Sequence, residues 1–160
     1  MFKISSDLSK YKVLKKIGAG SFGQLYKIEE RKTGNIYAAK ISFNEISNES
    51  NSMIKSIQRE VNIISRLNHP AILKFIGFSR TNFHDEDKPV IITEFMRNGS
   101  LDDILTLNWR TKSPSFWSDT LKIINIYGIA SSMLYLHTHN IIHRDLKPTN
   151  ILMDDYLLPK

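Results

Sequence analysis

The chain has 160 residues, 41% of them apolar and 24% charged, with no cysteine and a formal net charge of +6. That length allows one good core or two small lobes, and the composition excludes a disordered chain, a disulfide scaffold and a thiolate metal site. The basic residues occur in short pairs such as Lys15-Lys16, which argues against nucleic-acid recognition, and no apolar run could span a bilayer or serve as a signal core, so a cytoplasmic protein is the simplest reading.

Residues 11–17 read as a strand running into Gly18-Ala19-Gly20-Ser21-Phe22-Gly23. Residues 25–28 form a second strand, 31–35 a turn and 36–41 a third strand. Gly18-x-Gly20-x-x-Gly23 alone fits either a dinucleotide-binding turn or a glycine-tipped hairpin. The first requires a helix opening in the loop, then a strand ending in an acid about 20 residues on. Here the residues after Gly23 are strand-like, and a lysine, Lys40, stands near the acid position. The hairpin is therefore expected, its tip amides able to close over phosphates.

A helix is expected from an N-cap at Asn51 or Ser52 to Leu67, stopped by Asn68-His69-Pro70. Met53, Ile57 and Ile64 form its apolar stripe with Ile54 and Val61 beside it, and Glu60 falls on the same stripe. A carboxylate facing a core is costly unless paired, and Lys40 is its natural partner. Residues 72–78 and 89–95 read as two further strands, Pro89 being tolerated at a strand start. Residues 96–99 form a linker, and Ser100 caps a short helix to about Leu107. A longer helix runs from about Ser118 to Thr138, closed by Asn140. It is apolar on most sides, as Leu121, Ile123, Ile126, Ile129 and Leu134 illustrate, and so expects to be surrounded by protein.

His143-Arg144-Asp145-Leu146-Lys147-Pro148-Thr149-Asn150 lies between Ile141-Ile142 and Ile151-Leu152-Met153, a polar loop expected to be pinned at both ends by core. The aspartate, the lysine two positions on and the asparagine five positions on supply a proton acceptor, a cation and a neutral metal ligand. Those groups are needed where a hydroxyl attacks a metal-bound phosphate. The octet matches the His-Arg-Asp-Leu-x-x-x-Asn catalytic loop. With the glycine loop and Lys40 in the same motif order, the chain resembles the eukaryotic protein kinase family over nearly its whole length.

The resemblance implies an α+β, bilobal protein-kinase fold. A five-stranded antiparallel N-lobe sheet plus one helix would occupy 1–95, a hinge 96–99 and an incomplete helical C-lobe 100–160. It implies ATP and magnesium (Mg2+) as cofactors. Gly18, Gly20, Ser21 and Gly23 would cover the phosphates, and Lys40, held by Glu60, would contact the α and β phosphates. Ile17, Leu25 and Ala38 would bind the nucleotide from above and Leu152 from below. Thr93 matches the gatekeeper, and Glu94 and Met96 match linker positions whose backbone groups hydrogen-bond adenine.

Asp145 would orient the substrate hydroxyl and accept its proton, Lys147 would steady the transferred phosphoryl group, and Asn150 would hold one magnesium ion. Asp145-Leu146-Lys147-Pro148 resembles serine/threonine kinases, and Thr93 to Met96 followed by Asn98-Gly99-Ser100-Leu101 resembles their tyrosine-kinase-like group. The implied partner is a protein serine or threonine. The chain ends at Lys160, before the Asp-Phe-Gly motif that supplies the main magnesium ligand in this family. A truncated domain with little turnover and an exposed apolar patch on its long helix is therefore expected. The alternative is a non-catalytic nucleotide-binding or partner-competing module.

Overall fold

Three consecutive strands form a meander because each reversal uses residues that tolerate it. The computed structural model describes residues 6–20, 23–45, 51–111 and 117–160, the side chains of 51–56 and 108–111 excepted. Strand β1 (Tyr11–Gly20) pairs antiparallel with β2 (Gly23–Glu30), from Tyr11 opposite Glu30 to Gly20 opposite Gly23. The glycine-rich segment is thus the tip of a hairpin followed by a strand, which excludes the dinucleotide-binding turn. Strand β2 reverses into β3 (Ile36–Ser42) where Gly34 takes φ +73° and its amide donates to the Glu30 carbonyl at 2.8 Å. Helix α1 (Asn51–Ile64) follows, then β4 (Phe75–Ser79) and β5 (Val90–Glu94). The sheet is antiparallel in the order β1-β2-β3-β5-β4.

The chain forms two units, Met1–Leu67 with Lys74–Phe95, and Asn68–Leu73 with Met96–Lys160. In the first, Ile28, Ala39, Val90 and Ile92 are fully buried, with Leu8, Tyr37 and Phe83 packed against them. Each large aliphatic among them contributes about 1.5–3 kcal/mol by burial. That outweighs the repulsion between Lys15 and Lys27, directly opposite on β1 and β2, which costs about 1 kcal/mol at most. Lys27 relieves it further by setting its ammonium 5.0 Å from the centre of the Phe95 ring.

Helix α1 departs from expectation in its rotation. Val61 is completely buried, Ile57 and Ile64 are half-buried, and Glu60 is exposed. The buried stripe therefore keeps Ile57 and Ile64 and shifts towards Val61, by less than the ~100° that separates neighbouring residues in a helix of about 3.6 residues per turn. Turning Val61 inward avoids the cost of a carboxylate in the core. The helix also ends earlier, tapering into tighter bonds from the Arg66 amide to the Ile63 carbonyl (3.1 Å) and from Leu67 to Ile64 (3.3 Å).

Strand β4 starts at Phe75 rather than at 72 because the preceding residues are held by the second unit. There the Asn68 amide donates to the Tyr135 hydroxyl at 3.0 Å, and His69 Nε2 lies 3.2 Å from Ser131 Oγ. Helix α2 (Leu101–Thr111) opens on a reciprocal cap, as expected for Ser100. Asp103 Oδ2 accepts from the Ser100 amide (2.8 Å) and hydroxyl (2.7 Å), and Ser100 Oγ accepts from the Asp103 amide (3.2 Å). Helix α3 (Asp119–Thr138) is capped by Ser118, whose Oγ accepts from the Leu121 amide, and is closed by Asn140 at φ +58°.

The covered side of α3 mixes apolar, small and polar residues. Asn125, Ser132 and Leu136 are buried, Leu121 and Ile129 pack on the second core and Gly128 faces Pro159, whereas Ile123, Ile126, Tyr127 and Leu134 are 67%, 67%, 75% and 65% exposed. The expected apolar patch is present. The second core gathers Ile104, Trp117, Ile151 and Met153. Among the described residues no helix is long and apolar enough to cross a membrane.

Gly23 is the glycine this sheet needs. A Cβ there would overlap the Ile41 carbonyl oxygen of β3, whereas at Gly18 and Gly20 it would meet nothing within 4 Å. Gly23→Ala should cost about 1–3 kcal/mol of stability and lower the midpoint of thermal unfolding, with Gly20→Ala close to wild type. Equal midpoints for the two variants would contradict the β2–β3 register.

Candidate active site

Register decides which side chains of the first unit share a face. Leu25 pairs with Lys40 and Ala38 with Thr93, so all four project from one face of the sheet, opposite the face that carries Ile28, Ala39, Val90 and Ile92. Ala38 is buried, Leu25 and Thr93 are half-buried, and Lys40 is exposed. Gly18 stands opposite Leu25 at the β1 edge, and Ile17 beside it is partly exposed. The open space around Gly18 and Gly20 lets a ligand approach the backbone there, while Gly23 serves the packing against β3. Ser21 lies outside the described residues.

Glu60 is exposed, and the ion pairs among the described residues do not include it. The Glu94 amide is already donated to the Lys74 carbonyl at 3.1 Å, and its Oε1 accepts the Lys74 amide at 2.7 Å. Its carbonyl accepts the Thr93 hydroxyl at 3.2 Å and, having a second lone pair, remains the Glu94 backbone group able to meet a ligand. Met96 is half-buried.

In the second unit, two side chains of one loop converge on a carboxylate. Asp145 Oδ2 accepts from Lys147 Nζ at 2.9 Å and from Asn150 Nδ2 at 2.8 Å, and the same Nδ2 also donates to the Asp145 carbonyl at 2.8 Å. The Asp145 amide points at His143 Nδ1, 3.4 Å away, a contact that the motif spacing alone did not assign. Arg144 occupies the left-handed region at φ +65°, a strained conformation for a non-glycine residue. Pro148 opens a 3-10 turn, Pro148–Asn150, in which the Asn150 amide donates to the Lys147 carbonyl at 2.9 Å. The Lys147 ammonium first, then the Asn150 amide, holds the Asp145 carboxyl below its ordinary value of 3.8.

The core pins this loop on one side only. Downstream, Ile151 and Met153 are buried, and Leu152 pairs its amide and carbonyl with Lys160 at 3.1 and 2.8 Å. Upstream, Ile141 is half-buried and Ile142 is exposed, so the expected anchor before the loop is weak. Asn150 spends its amide nitrogen on Asp145, leaving Oδ1 as the atom it can offer a cation. Asp154 spends Oδ1 on the amides of Tyr156 and Leu158, both at 2.9 Å. Among the described residues no group of three His, Cys, Asp or Glu side chains could hold a metal. The donors present do not by themselves make a magnesium site, an ion that prefers an octahedron of oxygens.

The family model of the protein kinase domain matches residues 11–158. Over 149 residues the chain is 38% identical to an Aurora kinase of Saccharomyces cerevisiae, covering 93% of this chain and 38% of that protein. It is 34% identical over 161 residues to the cysteine-rich receptor-like protein kinase 5 of Arabidopsis thaliana, covering 98% of this chain and 22% of that protein. Interleukin-1 receptor-associated kinase 1 of Bos taurus is 34% identical over 148 residues, with 91% of this chain and 19% of that protein covered. The chain therefore spans well under half the length of these relatives. A five-stranded antiparallel sheet entered through a glycine-tipped hairpin, together with a match over nearly all of its residues, makes this chain a member of the eukaryotic protein kinase family.

Proposed function

We propose that this chain is the N-terminal part of the catalytic domain of an ATP-dependent protein serine/threonine kinase, acting in the cytoplasm. The observation that carries the reading is the Asp145 carboxylate, held by Lys147 and Asn150 through one oxygen while the other is left for a substrate hydroxyl. In the transfer, the hydroxyl oxygen of a serine or threonine bonds to the γ-phosphorus of ATP as the bond from that phosphorus to the β–γ bridging oxygen breaks. ADP leaves, and the hydroxyl proton passes to Asp145 Oδ1. A carboxylate with a lowered pKa is a weak base and takes the proton late, which suits a loose transition state with little nucleophile bonding.

Lys147 has two donors left after its bond to Asp145, enough to steady the moving phosphoryl group. Lys40 supplies the charge for the α and β phosphates, Gly18 and Gly20 the backbone amides, and Leu25 and Ala38 the apolar contacts to adenine. The proline after Lys147, and relatives named as Aurora kinases, support serine or threonine as acceptor. A second reading is a nucleotide-binding module without turnover, which would use Lys40 and the glycine hairpin but not Asp145.

Incubation of the purified chain with Mg-ATP and myelin basic protein separates the two. Phosphotransfer that drops about 10²–10⁴-fold in Asp145→Asn, and is also lost in Lys40→Met, is the outcome expected of the kinase. Transfer indifferent to both substitutions would refute it. A thermal shift with ATP, sensitive to Lys40→Met but without transfer, would establish the second reading.

The electrostatics of the loop make a separate prediction. Because the folded pKa of Asp145 is depressed, its ionised geometry is kept from neutral pH downward and is lost only as pH falls through that lowered value. Carboxyl carbon NMR should find Asp145 titrating below 3.8. Lys147→Ala should raise that midpoint more than Asn150→Ala does. A midpoint unmoved by Lys147→Ala would show that the ammonium does not hold the carboxylate.

A further inference from the structure

A groove of about 720 Å³ lies on the packed face of the first unit's sheet, the face opposite Lys40 and Thr93. Its floor is apolar, formed by Tyr11, Tyr26, Ile41 and Phe83, with Phe43 half-exposed at one end. It runs beside β2 from Gln24 to Arg31 in the turn just after that strand, seven residue steps or about 23 Å at ~3.3 Å per residue. One wall is a braced loop. Buried Asn82 accepts the amides of His84 (2.8 Å) and Glu86 (3.2 Å) on its Oδ1 and donates to the Glu86 carboxylate at 2.8 Å.

The two ends of the groove differ in charge. Near Phe43, Lys88 is shared between Glu86 at 2.8 Å and Glu45 at 3.8 Å, and Asp85 lines the same wall, so two carboxylates share one ammonium and a third stands in the wall. At the far end Arg31 donates through Nε to the Ser9 carbonyl at 3.1 Å, and its two terminal amino groups remain for a ligand. A groove of that length with opposite charge at its ends fits an extended chain better than a compact molecule. Six residues reach about 20 Å, and alternate side chains then point the same way.

We propose that this face docks a short extended peptide of a partner protein, with an acidic residue at one end, a basic residue at the other and aromatic or aliphatic side chains on alternate positions between. The acid meets Arg31 and the base meets the carboxylates around Lys88. The apolar side chains cover Tyr26, Ile41 and Phe83. The site is independent of the kinase reading, since it uses the other face of the sheet.

The test is a titration of the intact chain with the acetylated and amidated peptide Asp-Phe-Ser-Leu-Ser-Lys, followed by amide NMR shifts. Saturable shifts at Tyr26, Ile41 and Phe83 are expected, with binding at least tenfold weaker in Arg31→Glu and in the half-exposed Phe43→Ser. The peptide with lysine replacing its aspartate should recover binding to Arg31→Glu, a rescue that a merely structural role for Arg31 would not produce. Any of four results would overturn the proposal: no saturation, shifts confined to other residues, affinity unchanged by Arg31→Glu, or no rescue. Self-association of the chain through this face in place of peptide binding, seen as concentration-dependent sedimentation, would also overturn it.

Discussion

A slip of one residue between β2 and β3 would exchange the two faces of the sheet, and the whole first unit depends on that slip being forbidden. Binding and packing residues are interleaved along the same strands. Lys40 stands between Ala39 and Ile41, and Leu25 between Gln24 and Tyr26. What holds the register is burial on one side, where Ile28, Ala39, Val90 and Ile92 lose all contact with water. A second lock is Gly23, whose missing Cβ admits the Ile41 carbonyl. The face that carries Lys40 is therefore positioned by residues that never touch it.

The loop around Asp145 is organised on a different principle, short-range electrostatics. Lys147 and Asn150 ionise and aim the same oxygen, so charge and geometry are set by one pair of contacts. The strained Arg144 costs about 1–3 kcal/mol. Burial of Ile151 and Met153 immediately downstream contributes about 1.5–3 kcal/mol each and can offset it. With Ile142 exposed on the upstream side, the loop is anchored through its exit rather than its entrance.

Helix α3 shows how a covered face can combine apolar packing with close backbone approach and polar contacts. Gly128 allows Pro159 to approach, and the Asn125 amide donates to the Leu121 and Leu157 carbonyls, each at 2.9 Å. Close backbone approach and side-chain-to-backbone bonds decide the contact, leaving Asn125 Oδ1 buried without a partner at a cost of about 1–3 kcal/mol. Leu121, Ile129 and Leu136 contribute apolar packing on that side, while Ile123, Ile126, Tyr127 and Leu134 point to water.

Local features were legible in the amino-acid order. The hairpin, the turn at Gly34, the cap at Ser100 and the stop at Asn140 all arise within a few residues, where chain geometry and nearest-neighbour hydrogen bonds leave few options. The contacts of Lys147 and Asn150 with Asp145 are equally local, but the motif did not assign them. The rotation of α1, which turns Val61 inward in place of Glu60, was decided by the tertiary structure. So were the assignment of 68–73 to the second unit, the covered side of α3, and the charged groove over Tyr26 and Ile41. Each depends on which distant residues arrive to cover a surface. Periodicity tells how apolar a helix face is, but the partner's shape and its unpaired polar groups determine which face is taken.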